Sequence, residues 1–212
     1  MTAEAYTHRP VDQPAGVAAA FTEAMAHLAS GVAVVTARQP DGAPCGLLIS
    51  SVCSYSVAPP SVLIAVAEQA RSYFALVGST GFGVHLLNRS DTDLAGVFAG
   101  RGDDKFRHLR WSWDGPVPRI AGVGGYLRCA PSAVFHHGDH AIMVGEVLHC
   151  QVEAGEPLVY FGRRLGWSLA MADDQDRAAN SAPVNSAPVI PSRDPAGGPG
   201  ETRPPHGSPR AR

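Results

Sequence analysis

The chain has 212 residues, of which 45% are hydrophobic and 17% charged, with a net charge of −2. That length supports one sizeable core, and no apolar run approaches the ~20 residues that a bilayer span needs. The near-neutral balance supplies no basic field for nucleic acid or anionic lipid, so neither is expected as a partner.

Residues 1–14 lack the apolar stretch of a secretory signal, so a cytoplasmic address is expected. Residues 1–16 read as a flexible leader. A helix follows, because Val17, Phe21, Met25 and Leu28 recur at helical spacing and Ser30-Gly31 stops the pattern. Residues 32–37 form a β run, and Pro40-Asp41-Gly42 is a hairpin-type turn. Residues 45–56 read as one continuous strand, closed by Pro59-Pro60, and 62–67 as another. A short helix is expected over 71–77, ended by Gly78, and a strand over 82–87. Ser90-Asp91-Thr92-Asp93 looks like a helix cap before Leu94, Val97 and Phe98.

Residues 100–106 form a loop rich in Gly and Asp. Beyond it, Trp111 and Trp113 are expected on different sides of a short extended piece. Two long β runs, 125–136 and 140–152, and a last strand over 158–161 complete the ordered domain, placed at 17–170. Residues 171–212 carry Pro183, Pro188, Pro191, Pro195 and more, with no aromatic residue. Such a segment cannot bury enough apolar area to offset its chain entropy, and a disordered tail is expected.

About seven strands with few short helices argue a mainly β fold, a closed or nearly closed antiparallel barrel. The strands do not alternate with long helices, which sets aside a doubly wound parallel sheet. The glycines at 78, 81 and 83, and at 122, 124 and 125, do not form Gly-x-Gly-x-x-Gly. No nucleophile elbow and no paired carboxylates in an apolar setting are found, which weakens a hydrolase reading. Cys45, Cys53, Cys129 and Cys150 contain no Cys-x-x-Cys pair and read as buried, reduced thiols.

Four segments carry chemistry. Ser50, Ser51, Ser54 and Ser56 are poor strand formers inside a strand pattern, which marks a local inconsistency. In one continuous strand Ser50, Ser54 and Ser56 share a face, and Ile49, Ser51, Cys53 and Tyr55 share the other. Small hydroxyls let a flat ligand approach the backbone; a polar edge strand explains them equally well. Arg71-Ser72 at a helix start suits a phosphate, or is a surface cap. Lys105 with Phe106 is a second phosphate candidate, or a solvated loop pair. In His136-His137-Gly138-Asp139-His140, a turn at Gly138 sends His137 and His140 onto different strands. A turn histidine steadied by a carboxylate is therefore favoured over a metal site.

Taken in order, these segments resemble the flavin reductase-like family, the small reductase components of two-component flavin-dependent monooxygenases. The matching stretches include Leu28-Ala29-Ser30-Gly31-Val32, Ser50-Ser51-Val52 through Pro59-Pro60, Arg71-Ser72, Asp104-Lys105-Phe106, Gly138-Asp139-His140 with Gly145-Glu146-Val147, and Pro157-Leu158 with Tyr160. The match spans about residues 18–165. The resemblance implies a split β-barrel with a Greek key, paired as a homodimer. It implies hydride transfer from NADH or NADPH to FMN, with FAD as the other option. The reduced flavin would supply a separate monooxygenase.

Carried over, Ser50, Ser51 and Val52 contact the flavin ring and ribityl chain, flanked by Ser54 and Ser56. Arg71, Ser72, Lys105 and Phe106 serve the phosphate end. Gly138, Asp139 and His140 lie near the nicotinamide, with His140 as the residue closing its face. Arg164 corresponds to an arginine that relatives carry after the Tyr-x-x stretch, although Leu165 replaces their following tyrosine. The competing reading is a non-catalytic flavin- or haem-binding module, a carrier or sensor.

Overall fold

The structure, a computed structural model, describes Asp12 and residues 14–102 and 104–167. The expected tail over 171–212 lies outside these residues, and so does most of the expected leader. In chain order the elements are α1 (Val17–Ala26), β1 (Ser30–Gly31), β2 (Ala33–Arg38), β3 (Pro44–Ile49), β4 (Val52–Val57), β5 (Pro60–Ala67), α2 (Tyr73–Val77) and β6 (Phe82–Leu86). They continue with α3 (Thr92–Ala99), β7 (Trp111–Asp114), β8 (Val117–Ile120), β9 (Gly125–His137), β10 (His140–Val152), β11 (Val159–Phe161) and β12 (Arg164–Trp167). No helix among them is long and apolar enough to cross a membrane.

Seven strands form one antiparallel sheet in the order β3-β2-β6-β9-β10-β5-β4. Its two edge strands, β3 and β4, are joined by only Ser50 and Ser51. A link that short forces the sheet to curl until its edges meet, which makes a barrel split along one seam. The barrel interior holds Val35, Ile64, Val66, Leu76, Phe82, Val84 and Met143. A second core, of Val34, Leu87, Ala95, Phe98, Phe106, Ile120 and Leu158, lies between the outside of β2 and α3. β2 is thus buried on both faces from Ala33 to Ala37, and its one polar side chain there, Thr36, donates to the Pro118 carbonyl.

The structure departs from the sequence reading at several points. The segment 45–56 is two strands, not one, because β3 pairs with β2 and β4 pairs with β5 on the far edge. The two-serine break at Ser50-Ser51, with a register shift between Ser54 and Ser56, also undoes the simple two-face pattern for the serines. Trp111 and Trp113 lie on the same side of β7, as residues two apart in a strand must. Their rings meet edge-on at 5.2 Å. The helix cap is set earlier than expected: Asn88 opens a short 3₁₀ turn, and its backbone N–H donates to Asp91 Oδ2 at 2.8 Å. The hairpin partner β8 was missed because Pro118 reads as a breaker, yet it sits harmlessly on a two-stranded ribbon. β12 was missed because it follows Arg163, a non-glycine residue at φ 60°. Finally, Cys53 and Cys150 are exposed; only Cys129 is fully buried, and burial pushes its thiol up to about 12.

Two residues show how tightly the barrel is packed. Gly145 of β10 faces Phe82, and a Cβ there would lie 2.4 Å from the buried ring. His85 of β6 is wholly buried. Its Nδ1–H donates to the Val34 carbonyl at 3.1 Å, and its Nε2 accepts the Ile120 N–H at 3.0 Å. The ring is therefore a neutral bridge from the barrel to β8, and burial lowers its pKa to about 4.

Because the unfolded chain binds this proton near pH 6.5, the His85 contribution is complete above that pH. It is lost as pH falls toward 4, by roughly 3 kcal/mol in all. Urea unfolding of the wild type from pH 7 to pH 5 should lose about 2 kcal/mol more than that of His85→Gln. Parallel pH profiles for the two proteins would show that His85 is not the source.

Candidate active site

A cleft of about 690 Å³ runs along β3 and is closed on the other side by the segments around α2 and after α3. Its lining brings together four of the residues singled out in the sequence: Arg71, Ser72, Lys105 and Phe106. The four do different work. Phe106 is buried in an edge-to-face aromatic series with Phe98 at 5.4 Å and Trp111 at 5.3 Å. It anchors the loop and thereby fixes its neighbour, Lys105. The Lys105 ammonium donates to the Phe98 carbonyl at 2.8 Å, in the last turn of α3, where carbonyls lack helical partners. Ser72 is also buried, and its hydroxyl donates to the Gly46 carbonyl at 3.2 Å. That bond ties the start of α2 to the middle of β3.

Arg71 stays exposed, and its guanidinium donates to the carbonyls of Arg101 and Gly102, the latter at 2.8 Å. It therefore holds the loop after α3 along the cleft. Burial and the nearby Arg71 charge hold the Lys105 ammonium below the ordinary lysine range. Arg101 lines the same cleft, and none of its described lining residues is acidic. A donor set of this kind fits a phosphate.

The serine segment begins where the cleft ends. Leu47 and Leu48 line the cleft, and Ser50 follows one residue beyond Ile49. Ser51 lies on the seam: its hydroxyl donates to the Ala65 carbonyl at 2.7 Å, and its own carbonyl accepts the Ala65 N–H at 3.1 Å. Ser50 and Val52 line a neighbouring hollow with Ser30, Gly31 and Pro157. Ser54 and Ser56 face a separate, apolar hollow with Val57, Val62, Leu127 and Val147. The Ser56 hydroxyl accepts the Ala58 N–H at 3.2 Å. None of the serine run lines the cation-lined cleft itself; Ser50 comes nearest to it in the chain, two residues after Leu48.

His140 opens β10 opposite Ala67 of β5, just past the turn at Gly138, whose φ is 61°. β5 in turn neighbours β4, so one strand separates His140 from the seam serines. Ladder spacings put Ser51 and His140 about 12 Å apart. His140 shares the outer face of β5 with Ala65 and Ala67, while Ile64 and Val66 point into the barrel. Its Nδ1 lies 2.7 Å from Asp139 Oδ1. The carboxylate can only accept, so Nδ1 carries the proton and Nε2 is the nitrogen presented outward. The same bond holds the Asp139 carboxyl below the usual carboxylate range.

Among the described residues no group of three or more His, Cys, Asp or Glu side chains is placed to hold a metal ion. Arg164 lies on the small β1-β11-β12 sheet and is not among the residues lining the cleft. Two features of the site escaped the sequence reading. One is the role of Gly46, whose carbonyl anchors Ser72. The other is the Tyr73 hydroxyl, 3.1 Å from His136 Nδ1, which ties α2 to the His140 hairpin. Neither left a signal beyond a common residue type.

Comparisons with known proteins place the chain in a family. The family model described as "Flavin reductase like domain" matches residues 25–168. The chain is 38% identical over 152 residues to the reductase component of 4-hydroxyphenylacetate 3-monooxygenase from Thermus thermophilus, covering 70% of this chain and 97% of that one. It is 35% identical over 165 residues to the reductase component of 4-nitrophenol 4-monooxygenase/4-nitrocatechol 2-monooxygenase from Rhodococcus opacus, covering 74% and 89%. The solved structure of the NADH:FAD oxidoreductase SgcE6 of Streptomyces globisporus C-1027 superposes with a TM-score of 0.69 at 28% identity, over 77% of this chain and all of that one. With a split barrel and a family match over residues 25–168, this chain belongs to the flavin reductase-like family.

Proposed function

We infer that the protein is a flavin reductase that oxidises NADH or NADPH and supplies reduced flavin, FMN or FAD, to a separate monooxygenase. The observation that carries this reading is that one strand separates the seam serines from the Asp139-His140 pair, while α2, which borders the cation-lined cleft, is tied to the same hairpin through Tyr73 and His136. The reductase names of the relatives support it over a non-catalytic binding module. The name of the structural neighbour favours NADH as the hydride source.

The bound pair of heterocycles supplies the chemistry, a hydride passing from nicotinamide C4 to flavin N5. The chain supplies position. Arg71 and Lys105 hold the phosphate end, with Ser72 fixing α2 against Gly46. Ser50, Ser51 and Val52 present backbone and hydroxyl groups at the seam, where a planar ring can lie close to the chain. His140, steadied by Asp139, offers Nε2 across β5 and limits where the second ring can sit. Hydride transfer needs no side-chain acid or base, which suits a site without buried carboxylates. Gly138 and Asp139 serve by shaping the turn and orienting the imidazole. Ser54, Ser56 and Arg164 have no place in the cleft of a single chain; in this proposal they act only through a second copy.

That second copy has a surface to meet. The apolar hollow of about 470 Å³ beside β4 is lined by Val52, Val57, Pro60, Val62, Leu86, Leu127 and Val147. Tyr55 and Val57 beside it are 63% and 65% exposed. On α1, Phe21 and Met25 are also exposed although the helix has an apolar stripe. Exposed apolar surface of this kind marks an association site, and we assign it to a homodimer. Free cysteines throughout suit a reducing, cytoplasmic setting.

The basic test is NADH oxidation with and without added flavin; no oxidation with FMN, FAD or riboflavin would remove the reductase assignment. His140→Ala should raise the KM for NADH by about fivefold to tenfold with flavin affinity nearly unchanged. An unaltered nicotinamide dependence would take His140 out of the site. Lys105→Met should weaken FMN binding by about tenfold or more and leave riboflavin, which has no phosphate, within about twofold. Equal losses for both ligands would mean that Lys105 supports the fold and not the phosphate. Val57→Asp should halve the mass seen by light scattering; a wild type that is already monomeric contradicts the dimer.

A further inference from the structure

The cleft extends along β3 beyond the level of Ser72. Its landmarks lie in order along β3. Leu48 marks the end nearest Ser50 and the seam. Gly46, bonded to Ser72, marks the level at which Arg71 and Lys105 enter. Pro44 lies two residues further, about 7 Å along the strand. It pairs with Arg38 of β2, which brings Gln39 to the same end. Gln39, Pro44 and Cys45 all line the cleft there, facing the loop residues Gly100, Arg101 and Gly102. A ligand with its ring at the seam and a phosphate at Arg71 and Lys105 leaves this far end unfilled.

We propose that the far end takes the AMP half of FAD, so that the chain prefers FAD to FMN; this rests on the flavin reading above. Three properties of the end match that group. Arg101 is a third cation on the cleft wall, beside Arg71, and supplies charge for a second phosphate. The Gln39 carboxamide offers both donors and an acceptor, as the mixed edge of adenine requires. The Pro44 ring supplies a rigid apolar surface on which a flat base can lie. The loop that forms the opposite wall is held in place by the Arg71 bonds to the carbonyls of Arg101 and Gly102. One arginine therefore both faces the phosphate and shapes the space beyond it.

The test is equilibrium binding of the full chain, read by quenching of flavin fluorescence, with turnover measured alongside. FAD should bind at least about fivefold more tightly than FMN, and Gln39→Ala should weaken FAD by about threefold to tenfold while moving FMN less than about twofold. Gln39→Glu, which keeps the size but adds a negative charge, should weaken FAD further still. A wild-type preference below fivefold, or parallel losses of FAD and FMN in Gln39→Ala, overturns the assignment. Equal binding and turnover of FMN and FAD would sink it while leaving the reductase reading intact. Tight, FAD-selective binding without NADH or NADPH oxidation would do the opposite.

Discussion

The two-residue link at Ser50-Ser51 is the constraint on which the rest of the structure depends. β3 and β4 are consecutive in the chain but occupy opposite edges of a seven-stranded sheet. Nothing short of closure lets two residues join those edges. Closure in turn decides which residues meet. The β4–β5 ladder continues to Ser51, whose backbone and hydroxyl bond Ala65, two residues before the position that pairs with His140, and closure sets the end of β3 beside it. Closure also lays β3 across from α2, so that Ser72 reaches Gly46. A sheet of the same strands with a longer link would keep its hydrophobic core. It would lose the register between the seam, the cations and the histidine.

The electrostatic side follows from that geometry. Lys105 and Arg71 are like charges gathered at one cleft, and the partly buried lysine feels both desolvation and repulsion. An arriving anion relieves the repulsion and replaces lost hydration, so the site gains most when a phosphate is present. Two features keep the lysine in place without a ligand: the carbonyl of Phe98 at the end of α3 and the aromatic series that holds Phe106. The exposed His140 is steadied differently, by a single carboxylate one residue away. The proposed phosphate end is thus built into the core, and the proposed nicotinamide end rides on a hairpin tip. That asymmetry suits a protein in which one ligand is oriented first and the other arrives against it.

Much of this was legible in the sequence, for identifiable reasons. The long β runs alternate or stay apolar because they line one barrel, and the turn residues between them are those their backbone angles demand, as at Gly42 and Gly138. The serines were legible as an anomaly, since four poor strand formers in seven positions had to mean something other than a regular strand. What they meant was not legible. Periodicity does not show that a run is cut between Ile49 and Val52 and that its halves join opposite edges, because that is a fact about partners far away in the chain. Trp111 and Trp113 were misplaced by neglecting the two-residue repeat, which by itself puts them on one side. The exposure of Cys53 and Cys150 was hidden because an apolar strand bordering an open apolar hollow reads like one facing the core. The link from Tyr73 to His136 spans 63 positions and depends wholly on the tertiary fold.

The rim of the barrel completes the picture. Both faces of β2 are buried, yet β4, the strand carrying Ser54 and Ser56, borders an apolar hollow lined by Val62, Val84, Leu127 and Val147 that no other described residue fills. A strand at the edge of a sheet offers unpaired backbone groups and is a liability unless something shields it. Here the edge strand and the proposed flavin-facing segment are the same strand, divided only by the bulge after Ser54. In the proposed homodimer, covering the hollow with a second chain would bring that chain's residues close to the seam. Assembly and ligand binding would then share one element, and a substitution beside the hollow would reach the proposed flavin site through Val52.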